Sequence, residues 1–225
     1  MTTMNEKVLL INDDAFELIT LSEVLNLRGI NIVGTARSLV AAESLFRTLH
    51  PEVIVVDVDF NHFDGVSFAT RMRARNQAIG VVHTSTCSDL RLLGIQECEI
   101  APSALMVMKR RIGDIEVLCD AILHSTLARI NNEKILWVNR FPQLLENSFM
   151  SVVQDLTNIQ VETLRFLSQG LSNAEIAKVR FVSEKAVEQI VARIALAMGF
   201  QCDRKRNMRV LMTNEFNRWV GSSAS

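Results

Sequence analysis

The sequence predicts an α/β domain built on a doubly wound, five-stranded parallel sheet, followed by a small all-α domain. Three observations carry this. Short, wholly apolar runs recur in the first half: VLLI at 8–11, VIVV at 53–56 and LMVM at 105–108. Stretches with helix-spaced apolar residues separate them. In the second half, Thr157, Ser172 and Ser183 mark three helix starts in close succession.

Each element follows in order. VLLI is short and apolar on both faces, as a doubly covered strand must be, and it stops at Asn12-Asp13-Asp14. Phe16, Leu18, Ile19, Leu21, Val24 and Leu25 then repeat at helical spacing and close at Gly29. NIVGTA (31–36) is a second strand, LVAAESLFRTL (39–49) a second helix, and VIVV a third strand ending at Asp57. VVH (81–83) and LMVM supply strands four and five, with helical patterns near 65–75, 89–97 and 112–130. Strands alternating with helices indicate a parallel sheet covered on each face. Ligands of such sheets bind beyond the carboxyl ends of the strands.

The chain has 225 residues, 48% of them hydrophobic, and a net charge of −1. Residues 1–150 hold 14 Lys and Arg against 18 Asp and Glu, and residues 151–225 hold 10 against 7. An acidic front and a mildly basic back suggest two domains with different partners. No apolar run approaches a membrane span, and MTTMNEKVLL lacks a basic-then-apolar leader, so a cytosolic protein without a membrane partner is expected. Cys87, Cys98, Cys119 and Cys202 are scattered without a CxxC, which predicts buried thiols. His50, His62, His83 and His124 form no cluster, so no structural metal is expected.

The strand ends carry the chemistry. Strand one ends in Asn12-Asp13-Asp14, strand three in Asp57, strand four in Thr84-Ser85-Thr86 and strand five in Lys109. Carboxylates gathered at one sheet edge repel one another unless a hard cation sits among them, and oxygen ligands with water are what magnesium takes. A hydroxyl and an ammonium alongside suit a bound phosphoryl group.

This set resembles the receiver domain of two-component response regulators, over residues 7 to about 128. In VIVVDVDFNHFDG (53–65), Asp57 matches the phosphoacceptor and Asp64-Gly65 the family's Asp-Gly. Asp13 matches the Mg²⁺-binding acid and Asn12 its usually acidic neighbour. Thr84 or Ser85 falls at the switch hydroxyl, and Lys109 at the lysine. The resemblance implies that Asp57 becomes an acyl phosphate, by attack on a phosphohistidine or small phosphodonor. It implies Mg²⁺ held by Asp13, Asp57 and the Asp59 backbone carbonyl, with Asn12 a weak or water-mediated ligand. The chain departs from the pattern at Asn12, at Asn61 in place of a proline, at Met106 in place of an aromatic switch residue, and at Arg110. Asn12 should weaken the metal site without abolishing it. An enzyme alternative is the haloacid-dehalogenase phosphatase, whose DxD motif Asp57-Val58-Asp59 resembles. That family's DxD strand usually opens the domain, whereas here an acid-tipped strand precedes it, and a non-enzyme is expected.

In the second half, Thr157-x-x-Gln160 and Ser172-x-x-Glu175 are capping boxes, and Gly170 stops the first helix. A tight turn through Arg180-Phe181-Val182 leads to Ser183, and a longer helix runs to Gly199, with Val187, Ile190, Val191, Ile194 and Met198 on one face. Two helices joined by so short a turn have helix-turn-helix geometry. The stretch LTNIQVETLRFLSQGLSNAEIA and the following Ser183-Glu184-Lys185 resemble the LuxR/NarL-type DNA-binding domain, over about residues 154–219. The resemblance implies DNA contacts from the third helix and dimerisation through a fourth, over RKRNMRVLMTNEFNRW (204–219). Glu188 then stands where relatives carry a basic residue, and a carboxylate opposes phosphate binding. Lys185 and Arg193 share one side of the helix, Gln189 suits adenine and Glu188 suits cytosine N4. Arg204-Lys205-Arg206 would meet phosphates.

The expected organisation is a receiver at 1–130, a docked linker at 131–153 and a LuxR-type helix-turn-helix domain at 154–225. The expected function is a DNA-binding transcriptional regulator controlled by Asp57 phosphorylation. Its expected partners are a sensor histidine kinase, an inverted-repeat operator, and a second copy or a related regulator. The alternative is a degenerate regulator acting independently of phosphorylation, as a heterodimer partner or through protein contacts.

Overall fold

The computed structural model describes residues 6–60, 64–87, 89–109, 115–128, 136–138, 148–200 and 207–220. The chain divides into two compact units, residues 1–88 with 96–140, and residues 89–95 with 141–225.

The first unit is a parallel sheet of β1 (Lys7–Ile11), β2 (Asn31–Ala36), β3 (Val53–Asp57), β4 (Gly80–Ser85), β5 (Leu105–Met108) and β6 (Leu136–Trp137), in the order β2-β1-β3-β4-β5-β6. The five expected strands are present. The sixth is a two-residue edge strand that extends them, pairing Leu105 with Leu136 and Met106 with Trp137. The order reverses between β1 and β3, so a crevice opens beyond their carboxyl ends. Helices α1 (Ala15–Leu27), α2 (Leu39–Leu49), α3 (Asp64–Arg75) and α4 (Ile115–Ala128) cover the sheet.

Period-two alternation sorts the apolar strand residues between the faces. Val8, Leu10, Val53, Val55, Val82, Leu105 and Val107 pack with Leu18, Leu21 and Leu25 of α1 and Leu118 and Ile122 of α4. Leu9 points the other way, towards Leu45 and Leu49 of α2, where Gly34 leaves them room. His83 is wholly buried in β4, where burial pushes its pKa down to about 4. The neutral ring donates from Nδ1 to the Val56 carbonyl at 3.2 Å.

Three expectations are corrected. The helix foreseen at 89–97 is two short 3-10 segments, Leu90–Leu93 and Glu97–Glu99, because Gly94 turns left-handed at φ 80° and ends the first. Phe16 and Ile19, counted among the inward residues of α1, are 79% and 64% exposed. Cys98 is exposed, whereas Cys87 and Cys119 are buried as expected. Asn61, His62, Arg110, Cys202 and the linker residues Phe141, Leu144 and Leu145 lie outside the described residues.

The second unit is helical: α5 (Ser148–Asp155), α6 (Asn158–Ser168), α7 (Asn173–Arg180), α8 (Glu184–Ala197) and α9 (Met208–Val220). Both capping boxes form, Thr157 with Gln160 and Ser172 with Glu175, and Ser183 caps α8 through the Ala186 N–H. Val161, Leu164, Leu167, Ile176, Val187, Ile194, Met212 and Phe216 form its buried interior. Arg91 ties residues 89–95 into this unit, donating to the Val153 and Leu156 carbonyls at 3.0 and 2.9 Å and to Asn158 Oδ1 at 3.1 Å. The guanidinium thereby adds to the hydrogen bonding of the carbonyls at the end of α5, where Val153 also accepts from the Leu156 N–H at 3.1 Å.

The turn between α7 and α8 rests on Phe181, which is left-handed at φ 54° and 96% exposed. Val182 N–H bonds to the Ala177 carbonyl and closes the helix. A side chain here meets the cost of the left-handed conformation without gaining burial. Phe181→Gly is therefore expected to stabilise the unit by roughly 0.5–1 kcal/mol. Urea denaturation at equal m-value is the check, and a lower midpoint for the glycine variant would contradict it.

Candidate functional site

Three strand ends bring the site together. Asp57 closes β3 and is only 3% exposed. Lys109 follows β5 and donates from Nζ to Asp57 Oδ2 at 2.8 Å. Thr84, near the end of β4, directs Oγ1 at Asp57 Oδ1 from 3.5 Å, the long limit of a hydrogen bond. Ser85 is turned away, exchanging hydrogen bonds with the main chain of Cys87 at 3.0 and 3.1 Å. Of the two hydroxyls left open by the sequence, Thr84 is the one beside Asp57.

Glu17, passed over in the sequence, and Thr86, named there only as part of a strand end, belong to the same constellation. Glu17 lies in the first turn of α1, and its Oε2 accepts from Lys109 Nζ at 2.8 Å. Thr86 donates to Asp59 Oδ2 at 3.1 Å. Glu17 sits among the apolar residues that mark α1, and its partner is 92 positions away, so only the tertiary fold joins them.

The close approach of α3 explains Asp64-Gly65. A Cβ on Gly65 would lie 2.1 Å from the Asp57 carbonyl oxygen. Only glycine lets the first turn of α3 sit so near the end of β3.

Charge sets the protonation states. Burial pushes the Asp57 carboxyl up to about 6; Lys109 pulls it back, while Asp59 and Glu17 add to the rise. Burial also raises Asp59. Burial works against the Lys109 ammonium, but attraction to Asp57 and Glu17 outweighs it and holds its pKa above the usual lysine value.

The sign of the Asp57 shift makes a stability prediction. Below about pH 4 the carboxyl is protonated both folded and unfolded. Between 4 and 6 the unfolded chain has released the proton while the folded chain keeps it, so stability falls as pH rises. Above 6 the full penalty, roughly 2–3 kcal/mol, is in place. In metal-free buffer, Asp57→Asn should therefore gain stability over the unaltered protein as pH rises from 4.5 to 7.5. Urea midpoints at the two pH values test this, and a constant difference would contradict it.

Three oxygen-bearing residues bear on a cation. Asp13 follows β1, is exposed, and lies within electrostatic reach of Asp59. Asp59 Oδ1 is buried without a hydrogen-bond partner. The Asn12 side chain is engaged locally, its Oδ1 accepting from Asp14 N–H at 2.8 Å. Among the described residues, no three His, Cys, Asp or Glu side chains are grouped to hold a metal unaided. The expected set needs only the Asp13 and Asp57 carboxylates, one carbonyl and water, and an unpartnered buried carboxylate oxygen beside them fits a hard divalent ion.

On α8, Lys185, Glu188, Gln189 and Arg193 are all exposed. With Glu184 also exposed, the outward face carries two acids and two bases. Arg204, Lys205 and Arg206 lie outside the described residues.

Comparison with known proteins fits this geometry. Residues 8–96 match the response regulator receiver domain. The sheet order and helix placement are those of the flavodoxin-like receiver fold. A protein-glutamate methylesterase/protein-glutamine glutaminase from Nitrosomonas europaea is 35% identical over 81 residues, 35% of this chain and 23% of that protein. One from Rhodospirillum rubrum is 27% identical over 119 residues, 52% of this chain and 32% of that one. The chain thus spans about a quarter to a third of the length of these curated relatives. Solved structures match nearly the whole chain. RcsB, as two dimers bound to two parallel DNAs, gives a TM-score of 0.56 at 16% identity, covering 94% of this chain and 97% of that one. RcsB from Salmonella enterica serovar Typhimurium, bound to promoter P1flhDC in the presence of phosphomimetic BeF3−, gives 0.54 at 17% identity, covering 96% and 100%. These likenesses show that both units share the two-domain fold. No helix among the described residues is long and apolar enough to cross a membrane.

Proposed function

We propose that the protein is a DNA-binding transcriptional regulator switched by phosphorylation of Asp57 within a two-component system. The observation that carries it is the convergence of Lys109 and Thr84 on one nearly buried aspartate at the carboxyl edge of a receiver sheet.

The chemistry follows from the charges. An Asp57 carboxylate oxygen attacks the phosphorus of a phosphohistidine or acyl phosphate; the new P–O bond forms as the P–N or P–O bond to the leaving group breaks. The phosphohistidine of a sensor histidine kinase is the proposed physiological donor. Lys109 is placed to pair with a phosphoryl oxygen, and Thr84 to donate to another. Asp13, Asp57 and the Asp59 carbonyl would hold Mg²⁺, with Asn12 contributing at most through water. When bound, that ion offsets negative charge on the phosphoryl group. A hydroxyl drawn towards the phosphoryl group shifts β4, and such local shifts are what a bistable element amplifies.

The output is assigned to α8. Lys185 and Arg193 are the phosphate-contact candidates, and Gln189 and Glu188 the base-reading ones. Arg204, Lys205 and Arg206 are further phosphate candidates. With two acids facing two bases, non-specific attraction is weak, so specific binding must draw on base contacts and on pairing two copies over an inverted repeat. The proposed setting is the cytosol, and the proposed assembly a homodimer or a heterodimer with a related regulator. One observation favours a second reading: Glu188 stands exposed in the second turn of α8. A regulator that uses this helix for protein contacts, or borrows affinity from a partner subunit, would tolerate that carboxylate.

Salt dependence separates the two. Arg193→Ala should weaken DNA binding and reduce the slope of log K against log salt by about one. An unchanged slope removes Arg193 from the interface. DNA binding undetectable at any salt favours the protein-contact reading.

A further inference from the structure

We infer that Glu17 is a positioning residue for phosphoryl transfer at Asp57: it anchors the Lys109 ammonium from the side of α1 and sets how strongly the site attracts an anionic donor. This rests on the phosphoacceptor reading above and adds to it a carboxylate outside the expected site.

Glu17 is held before it reaches Lys109. The Asp14 side chain caps α1 by accepting from the Glu17 N–H at 2.8 Å, which fixes the main chain of Glu17 in the first helical turn. From there its carboxylate meets Lys109 Nζ at 2.8 Å, the same distance as Asp57. The side chains of Lys109 and Glu17 are 17% and 25% exposed, so water screens the contact only in part. A lysine ammonium has three protons. Two are committed, one to α1 and one to β3, so the long side chain is braced from both sides and the third N–H is left for an incoming oxygen.

The brace also carries charge. One ammonium stands between two carboxylates, so a donor approaching Asp57 meets Glu17 within two hydrogen-bond lengths. Repulsion scales with donor charge. Even with the screening of bulk water, one unit of donor charge at about 6 Å is opposed by roughly threefold in affinity and a dianion by roughly tenfold, and partial burial raises both. Glu17 thereby makes the site selective against small anionic donors and dependent on whatever else binds the donor.

The test uses the full chain with Mg²⁺ in fixed excess and two donors, acetyl phosphate as a dianion and phosphoramidate as a monoanion. Glu17→Gln keeps an oxygen for Lys109 and removes the charge. Its KM should fall at least roughly threefold for phosphoramidate and at least roughly tenfold for acetyl phosphate. Glu17→Ala removes the anchor as well, and its saturated rate should also fall. A KM unaltered by Glu17→Gln, or lowered equally for both donors, overturns the inference, since a merely structural role is blind to donor charge. If the unaltered protein takes up phosphoryl from neither donor, the phosphoacceptor reading fails. The anchor is then read from Lys109 ammonium proton exchange by NMR. Slow exchange retained in Glu17→Gln and lost in Glu17→Ala supports it, and equal exchange in all three overturns it.

Discussion

Asp57→Asn takes up no phosphoryl group from acetyl phosphate and Mg²⁺ under conditions that label the unaltered protein. The amide is no nucleophile at phosphorus, and the neighbouring Asp59 does not replace it, since Lys109 and Thr84 are both directed at residue 57. Lys109 keeps Glu17 as a charged partner, so the substitution leaves no isolated buried cation. Loss of labelling is therefore expected without loss of fold. Intact mass spectrometry measures both arms, with Asp59→Asn as the companion that should still label. Equal labelling of Asp57→Asn would move the phosphoacceptor elsewhere.

Gly65→Ala is expected to have the largest effect on stability. The added methyl would sit 2.1 Å from the Asp57 carbonyl oxygen and 3.2 Å from Val56 Cγ1. The first of these is main chain in the centre of the sheet and cannot rotate aside. Either α3 retreats or the end of β3 bends, at about 3 kcal/mol, the upper end of ordinary overpacking. Bending β3 also displaces the Asp57 carboxylate from Lys109, and misplacement of reacting groups by about 1 Å costs up to 100-fold in rate. A melting temperature lower by roughly 10 °C with labelling slowed at least tenfold is the expected pair of results. An unchanged melting temperature would mean that α3 does not approach β3 so closely.

Much of this arrangement was legible because it is local. β2, α2 and β5 lie where apolar runs and periodicity put them, at 31–36, 39–49 and 105–108. β5 is apolar and buried from end to end, so the run LMVM marks both its limits. Capped helices announced themselves in the same way, since a capping box is a four-residue feature. Two kinds of feature escaped. The segment 89–97 has helical composition, yet Gly94 adopts a left-handed turn, and Arg91, Leu156 and Asn158 find one another across more than sixty residues. Glu17 escaped for a related reason: it occupies a helix whose apolar residues face both inward and outward, so nothing in its neighbours marks it as facing the site. Periodicity also overcounted the inward face of α1. Phe16 and Ile19 match the helical spacing but point to solvent. The polar strand ends showed where the site would be, while the partners of each side chain were set by pairings that no local pattern encodes.

Selection of genomic DNA fragments by the unaltered protein and by Asp57→Asn, each with and without acetyl phosphate and Mg²⁺, tests the central claim most directly. The expected result is enrichment of an inverted-repeat site by the unaltered protein that strengthens with the donor, and no response to the donor from Asp57→Asn. Enrichment of equal strength in all four arms would contradict control through Asp57. Enrichment in none of them, at low or moderate salt, would contradict DNA as the target of α8.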